Sequence, residues 1–166
     1  MTVTTNTNTN TNTAPAEPDS HDSSTTAPPP FTDTTALLRF LYQDLSRISQ
    51  VAADDILLHR ADRDLSSPPL PPVRGKRAVQ AHEDALIAAT GGTLVMEVHH
   101  VQADEHFGTV LGTARATARG QADLAMPFCG VWRFVEGRAV EHWENAMDAA
   151  AMARWLALAG SCDSGC

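Results

Sequence analysis

PFCGVWRFVEGRAVEHWENAMD, residues 127–148, is the stretch of this chain that decides its fold. Apolar and aromatic residues alternate with polar ones on both sides of the dipeptide EG, which predicts two antiparallel strands joined by a tight turn. His142, Glu144 and Asp148 interrupt the apolar pattern at even spacing. If these groups share a face with the aromatic side chains, they form the polar floor of a pocket. If they face solvent, they are surface decoration.

The geometry of the turn determines which face each side chain takes. A two-residue loop requires a positive φ at Glu136, which glutamate adopts reluctantly. A three-residue loop with Gly137 alone in the left-handed region is therefore favoured, and it produces a bulge. In that register Phe128 lies opposite Glu144, and His142 shares the face of the aromatic residues. A register shifted by one residue would reverse every side chain of the second strand, so both faces stay open as alternatives.

The composition separates an amino-terminal arm from one domain. The chain has 166 residues and a net charge of −8. Residues 1–30 are rich in Thr, Asn, Ser and Pro and are nearly free of large apolar side chains, so we expect a disordered arm. Residues 31–160 suffice for a single domain with its own core. Residues 161–166 are expected to form a flexible tail.

Charge and cysteine content limit the partners and the compartment. A negative net charge without a basic stripe argues against nucleic acid and against anionic membrane surfaces as partners. No apolar run approaches the roughly 20 residues that span a bilayer, and the arm does not resemble a secretory signal. Three cysteines without framework spacing favour a reducing, cytoplasmic setting: Cys129, Cys162 and Cys166. A disulfide or metal clip between the last two remains an alternative.

Periodicity along the chain predicts an α+β layer. Apolar residues at helical spacing predict helices within three stretches: residues 31–50, 76–92 and 149–160. Alternating patterns predict strands, in addition to the quoted hairpin, within residues 54–60, 93–102 and 107–119. The order helix, strand, helix, four antiparallel strands and helix is typical of a curved sheet with helices on one face.

Three motifs resemble those of a known family. DDILLH, GKRAVQAH and VWRFVEGRAVEHW together resemble the SnoaL-like branch of the NTF2-like superfamily, and the likeness covers roughly residues 34–158. This resemblance implies an NTF2-like, cone-shaped, curved antiparallel sheet with helices packed on its concave face and a small molecule in the open mouth. Members of this superfamily include polyketide cyclases, isomerases, epoxide hydrolases and non-catalytic binders, so the fold does not settle the function.

The resemblance also suggests which acids could act. Polyketide cyclases of the family carry a catalytic aspartate shortly after the tryptophan of the hairpin. The matching acid here is Asp148, five residues after Trp143 where four is expected, and Glu144 is the alternative. Asp148 is equally suited to cap the last helix.

Two other activities of the superfamily match less well. Ketosteroid isomerases have an oxyanion-binding aspartic acid where this chain has Gly130, and Arg60 lies near the position of their base. Both departures count against steroid isomerisation. Epoxide hydrolases of the limonene type need an Asp-Arg-Asp set. Arg115 and Asp148 are present here, but no second aspartate has convincing spacing.

The candidate site combines proton carriers with side chains that would position a ligand. Imidazole and carboxyl groups near an apolar pocket suit general acid–base catalysis, so the candidate catalytic residues are His59, His142, Glu144 and Asp148. The candidate ligand-binding residues are His82, Met96, His100, Arg115, Phe128 and Trp132. His82 could equally be a satisfied core histidine on its helix. No H-x-H or H-E-x-x-H spacing supports a metal site, and neither a metal nor an organic cofactor is expected.

These features predict an enzyme of secondary metabolism that acts on a hydrophobic, polyketide-like small molecule. The reaction would be cofactor-independent acid–base chemistry: cyclisation, isomerisation, hydration or epoxide opening. The alternative is a non-catalytic ligand-binding or dimerisation module of the same fold, and a metal-dependent enzyme comes third. The resemblance also implies a homodimer, because sheet faces in this superfamily commonly pair subunits. The residues suited to such an interface on the outer face are Val131, Arg133, Glu141 and Trp143.

Overall fold

The computed structural model describes residues 33–162 of the chain. The predicted arm at residues 1–30 and the chain after residue 162 lie outside the described residues. The helices are α1 (Thr34–Tyr42), α2 (Ile48–Val51), α3 (Lys76–Ala89) and α4 (Ala149–Cys162), with a 3₁₀ turn at Leu45–Arg47. The strands are β1 (Ala52–His59), β2 (Val73–Arg74), β3 (Val95–Ala103), β4 (Phe107–Ala116), β5 (Leu124–Val135) and β6 (Arg138–Ala146).

The six strands form one mixed sheet in the order β2-β1-β6-β5-β4-β3. Neighbouring strands from β3 to β6 are antiparallel, as predicted, and so are β1 and β2. β1, however, pairs with β6 in parallel. The α+β class is therefore confirmed, with one parallel pair within the sheet that was expected to be antiparallel. None of the helices within residues 33–162 is long and apolar enough to cross a membrane.

The first predicted helix is interrupted. Asp33 accepts a hydrogen bond from the N–H of Thr35 and caps α1 as expected. Asp44 then takes an extended conformation and accepts from the N–H of Ser46, which starts the 3₁₀ turn. A short acid side chain that bonds to the backbone in this way competes with helix continuation. The apolar stripe survives the break, because Leu37 and Ile48 are both buried.

The hairpin has the predicted faces but not the predicted turn. Glu136 and Gly137 both have positive φ, 50° and 71°, so the loop contains two residues and the expected three-residue loop is wrong. A bulge follows one pair later, between Arg133 and Phe134, and it shifts the register by one more residue. The shorter loop and the bulge together move β6 by two residues relative to the predicted register. A two-residue shift leaves every side chain on its predicted face. Trp132 lies opposite His142, and the face shared by the aromatic residues and His142 is confirmed.

A second bulge changes the edge strand β3. Val98 pairs with Gly112, and the next paired residue is His100, opposite Leu111. His99 is the extra residue, so His100 is exposed on the outer side and Val101 turns towards the core. His100, a candidate ligand-binding residue in the sequence analysis, therefore does not face the core.

The core lies between the concave side of the sheet and the first two helices. The fully buried side chains include Leu37, Leu41, Val110, Trp132 and Phe134. On the concave face of β4 the buried positions include small residues: Gly108, Gly112, Ala114 and Ala116. These residues occupy little volume, and Ala114 among them lines a cavity.

Candidate active site

A cavity of about 140 Å³ lies between the concave face of the sheet, α3 and α4. Most of its wall is apolar, with contributions from Tyr42, Leu86, Met96, Phe128, Met152 and Leu156. The charged or readily ionisable residues of its lining are the ion pair of Arg60 and Asp62, 2.6 Å apart, and a group made of His82, Glu83, His142 and Glu144. The cavity thus combines apolar walls with a compact group of proton-carrying side chains.

Among these four side chains, Glu144 has the most hydrogen-bond contacts to its carboxylate. It projects from β6, opposite Gly130, into the cavity. Both of its carboxylate oxygens lie 3.2 Å from Nε2 of His82, and the N–H of Ala61 donates to Oε2 at 3.2 Å. Burial raises the pKa of Glu144, but the hydrogen bond and charge of His82, with smaller effects from His142 and Ala61, hold it below its ordinary value. Glu144 is therefore ionised at neutral pH.

Arg63 fixes the loop that supports Glu144. Its guanidinium donates to the carbonyl oxygens of Arg60 at 2.9 Å and Glu144 at 2.8 Å. It also donates to Oδ1 of Asn145 at 3.0 Å. These bonds tie the segment after β1 to β6, and they hold the N–H of Ala61 in place beside the carboxylate. Nothing in the local sequence pattern of Arg63 indicates this role, because its partners are distant in the chain.

His142 is buried and neutral. Its Nδ1 lies 3.1 Å from the carbonyl oxygen of Val131. A carbonyl can only accept, so Nδ1 carries the proton and Nε2 is left as an acceptor. Burial, the largest effect, lowers the pKa of His142 to about 4. The ring stacks on Trp132 with centroids 3.6 Å apart, which fixes its orientation.

Trp132 supports the site from behind. It is fully buried, does not line the cavity, and donates its Nε1–H to the hydroxyl of Tyr42 at 3.1 Å. It therefore does not occupy the position expected of a ligand-binding residue. Phe128 and Met96 do line the cavity, and Phe128 stacks on Tyr42 with centroids 5.6 Å apart.

Glu83 is a site residue that the sequence analysis missed. It lies on α3, directly after His82, and is 1% exposed. Its Oε2 is buried without a hydrogen-bond partner among the described residues. Burial first, then the charges of Glu144 and Asp84, raise the pKa of Glu83 well above its ordinary value. The available signal was its spacing, four residues after buried Val79 on the inward side of the helix.

Two of the four predicted catalytic residues lie outside the cavity. His59 pairs with Trp143 across the parallel β1–β6 ladder, which turns it to the outer face. There its Nε2 lies 2.9 Å from Glu141, and its ring stacks on Trp143. Asp148 is exposed and accepts a hydrogen bond from the N–H of Ala151 at 2.8 Å, so it caps α4. The structure brings together only His142 and Glu144 of this set.

Arg115 and His100 are also outside the cavity. Arg115 is exposed, and its Nε lies 2.6 Å from Oε2 of Glu97 on the neighbouring strand. His100 is exposed as a result of the bulge in β3. The Asp-Arg-Asp arrangement considered for epoxide opening is therefore not assembled from Arg115 and Asp148.

The compact group has two chemical capabilities. Donor atoms of Glu83, His142 and Glu144 all lie within 4.8 Å of one another. Carboxylate oxygens and a neutral imidazole whose other nitrogen bonds a backbone carbonyl can coordinate a divalent cation. The same groups, holding protons instead, form an acid–base site with one ionised and one protonated carboxyl.

The fold is an α+β open curved sheet with a cavity between the sheet, α3 and α4. The chain belongs to the SnoaL-like domain family, because the sequence model of that family matches residues 36–142. This membership confirms the resemblance to the SnoaL-like branch of the NTF2-like superfamily. No curated protein sequence matches the chain.

Solved structures share this fold. Bal32a, from a soil-derived mobile gene cassette, has a TM-score of 0.61 and 21% identity, over 74% of this chain and 95% of that one. IdmH, a proposed polyketide cyclase from Streptomyces antibioticus, has a TM-score of 0.57 and 20% identity, over 74% and 96%. TerC, co-crystallised with polyporic acid, has a TM-score of 0.56 and 14% identity, over 75% and 94%. At these identities the likeness establishes the fold alone.

Proposed function

We propose that this protein is an enzyme that transfers protons on a hydrophobic, polyketide-like small molecule without an organic cofactor. The observation that carries this proposal is the state of Glu144. The carboxylate of Glu144 is ionised, lines an apolar cavity, and is held by His82 and the N–H of Ala61. In this position it can act as a general base towards a ligand bound in the cavity.

Two histidines beside Glu144 can contact it or the ligand. The side chains of His82 and Glu144 are 22% and 18% exposed, so His82 contacts the carboxylate at the edge of the cavity that is open to solvent. His142 offers an unprotonated Nε2 to a hydroxyl group of the ligand. A ligand that presents an acidic C–H or O–H to Glu144 and a hydroxyl to His142 fits both.

The size and lining of the cavity indicate the kind of ligand. A volume of about 140 Å³ is comparable to an engineered cavity of about 150 Å³ that binds benzene. One ring-sized group therefore fits inside, beside Phe128 and Met96. The similarity to IdmH, a proposed polyketide cyclase, and to TerC, co-crystallised with polyporic acid, supports polyketide-like compounds as the class to test.

The non-catalytic alternative has less support in the geometry. A pure binding or dimerisation module would have its cavity filled by large side chains and its ionisable groups outside. Here Trp132 and Phe134 are packed in the core, an open volume remains, and Glu144 faces it. A non-catalytic binding module would bind the test compounds without accelerating exchange, as described below.

Deuterium exchange provides the test of this proposal. Enolisable aryl ketones and cyclic 1,3-diketones of one or two rings are incubated with protein in D₂O, and exchange at carbon is followed by NMR. We expect the wild type to accelerate exchange and Glu144→Gln to lower the rate about 100-fold or more. Glu141→Gln is the matched control, because Glu141 lies on the same strand but on the outer face.

The outcomes separate the two functions. Binding detected by ligand-observed NMR without acceleration by the wild type would favour the binding module. Exchange that persists in Glu144→Gln would overturn the role of Glu144 as the base.

A further inference from the structure

Glu83 is the most unusual group of the cavity. A carboxyl group that is 1% exposed is rare without a partner, because the desolvation of a buried polar group is unfavourable unless hydrogen bonds replace water. One oxygen of Glu83 has no hydrogen-bond partner among residues 33–162, and the side chain lines the cavity. Stability alone gives no reason for a carboxyl group here, since an apolar side chain would fill the same place at lower free energy.

We propose that Glu83 is a second catalytic carboxyl group, the proton donor that acts on the oxygen of an enolisable carbonyl compound while Glu144 removes the proton from the adjacent carbon. This inference rests on the proposed function and specifies its substrate class and its acid.

The placement of Glu83 and Glu144 assigns the single available proton. Their ligand atoms lie within 4.8 Å of each other, and Glu83 is buried, so a charge on both carboxyl groups at once is strongly unfavourable. Glu144 has the hydrogen bonds of His82 and Ala61, whereas Oε2 of Glu83 has no hydrogen-bond partner among the described residues. The proton therefore stays on Glu83, in agreement with its raised pKa.

The spacing also suits one carbonyl group and its neighbouring carbon. In the forward step the C–H bond breaks and its proton moves to Glu144. The electron pair of that bond forms the C=C bond of the enol, and the carbonyl oxygen takes the proton of Glu83. The enol then follows one of two routes. It accepts the proton of Glu144 at another carbon of a conjugated system, which completes an isomerisation, or it attacks a second carbonyl carbon, which closes a ring while the oxygen of that second carbonyl takes the proton of Glu144. In both cases the hydroxyl proton returns to Glu83, so protons and electrons balance without a co-reactant.

The first test measures the proton directly and does not require a substrate. Infrared difference spectroscopy at neutral pH is expected to show a protonated-carboxyl band in the wild type. This band should disappear in Glu83→Gln and persist in Asp84→Asn, the control at the exposed neighbouring position. A wild-type protein without the band would overturn the proposal, whatever its activity.

The second test uses exchange of the same ketones. Glu83→Gln retains the shape of the side chain but cannot transfer a proton, so we expect exchange to fall about 100-fold while ligand binding changes less than about threefold. Undiminished exchange in Glu83→Gln, together with its loss in Glu144→Gln, would overturn the role of Glu83 and leave the proposed function intact.

Elemental analysis of the purified protein decides between a proton and a cation at this position. Stoichiometric zinc, iron or manganese that is lost in Glu83→Gln would make the free oxygen a metal ligand and would overturn the proposal. A protein free of these metals that shows the carboxyl band supports it.

Discussion

Glu83 and Glu144 line the same cavity, yet only Glu144 has hydrogen-bond donors directed at it. Glu144, from β6, receives His82 and the N–H of Ala61, whereas Oε2 of Glu83, from α3, has no partner among the described residues. The pKa of Glu83 is raised and that of Glu144 is lowered as a consequence. A pair of carboxyl groups whose pKa values are driven apart is the arrangement by which one site supplies both an acid and a base at one pH.

The buried proton of Glu83 has a predicted effect on stability. A carboxyl group whose folded pKa is raised binds its proton more tightly in the folded state, so folding stability decreases as pH rises from the ordinary pKa towards the folded one. Replacing this group with an apolar side chain of similar shape removes that dependence. We expect Glu83→Met to be more stable than the wild type by about 1 kcal/mol at pH 7 and to lose activity.

Urea denaturation at pH 5, 7 and 8.5 measures this difference. Asp84→Asn is the control, because Asp84 is exposed on the same helix. A Glu83→Met variant that is clearly less stable at every pH would mean that the carboxyl group is a structural element of the core.

His142 has the opposite pH dependence. Its pKa is lowered from 6.5 to about 4, mainly by burial. The folded protein therefore resists protonation that the unfolded chain accepts. This stability is fully present above pH 6.5 and is lost as pH falls towards 4. The shift corresponds to roughly 3 kcal/mol.

Chemical denaturation between pH 7 and 4 tests this prediction. His142→Gln should lose less stability over this range than the wild type, and His100→Gln, at an exposed position of β3, is the control. Parallel curves for wild type and His142→Gln would show that His142 is not buried and neutral in solution.

The sequence predicted the fold to the extent that local patterns determine it. The face of His142 agrees with the prediction although the expected three-residue loop was wrong, because the two-residue loop and the bulge between Arg133 and Phe134 each shift the register by one residue. The break in the first helix and the bulge at His99 depend on single residues that periodicity cannot single out.

The candidate site was less predictable, because it depends on contacts between distant parts of the chain. The outward position of His59 follows from the parallel pairing of β1 with β6, which no local pattern indicates. Glu83 was overlooked in favour of its neighbour His82. Burial of a charged residue type is a property of the tertiary structure, and a sequence pattern usually places such a residue in solvent.

Gly130 is predicted to be intolerant of any side chain. A Cβ atom at this position would overlap the hydroxyl group of Tyr42 and lie 3.3 Å from Nε1 of Trp132. Because the Tyr42 hydroxyl accepts the hydrogen bond of Trp132, the ring cannot shift without breaking that bond. We expect Gly130→Ala to destabilise the protein by about 1–3 kcal/mol.

A double-mutant cycle isolates this contact. Tyr42→Phe removes the overlapping hydroxyl, at the expense of about 1 kcal/mol for the lost hydrogen bond. Gly130→Ala should therefore be clearly less destabilising in the Tyr42→Phe background than in the wild type. Equal effects in both backgrounds would locate the strain elsewhere.

The outer face of the sheet is the proposed site of homodimer formation. Arg133 and Glu141 form an ion pair there at 3.1 Å, beside Val131 and Trp143. On the adjacent strand, Phe107 and Leu111 lie opposite residues of the same face and are 52% and 42% exposed. Large exposed side chains that extend an apolar sheet face favour an interface between two copies of the chain. In a twofold-symmetric dimer the Arg133–Glu141 pair of one subunit can contact the same pair of the other subunit.

Light scattering with size-exclusion chromatography tests this interface at micromolar concentration. We expect the mass of a dimer for the wild type and of a monomer for Val131→Arg, because the new cation would be buried without a partner near the symmetry axis. Met147→Arg, at a position 81% exposed and outside the sheet, should remain a dimer. A monomeric wild type would exclude this interface. A dimer that survives Val131→Arg would place the contact on another surface. Neither result bears on Glu83 and Glu144, because both line the cavity on the opposite side of the sheet.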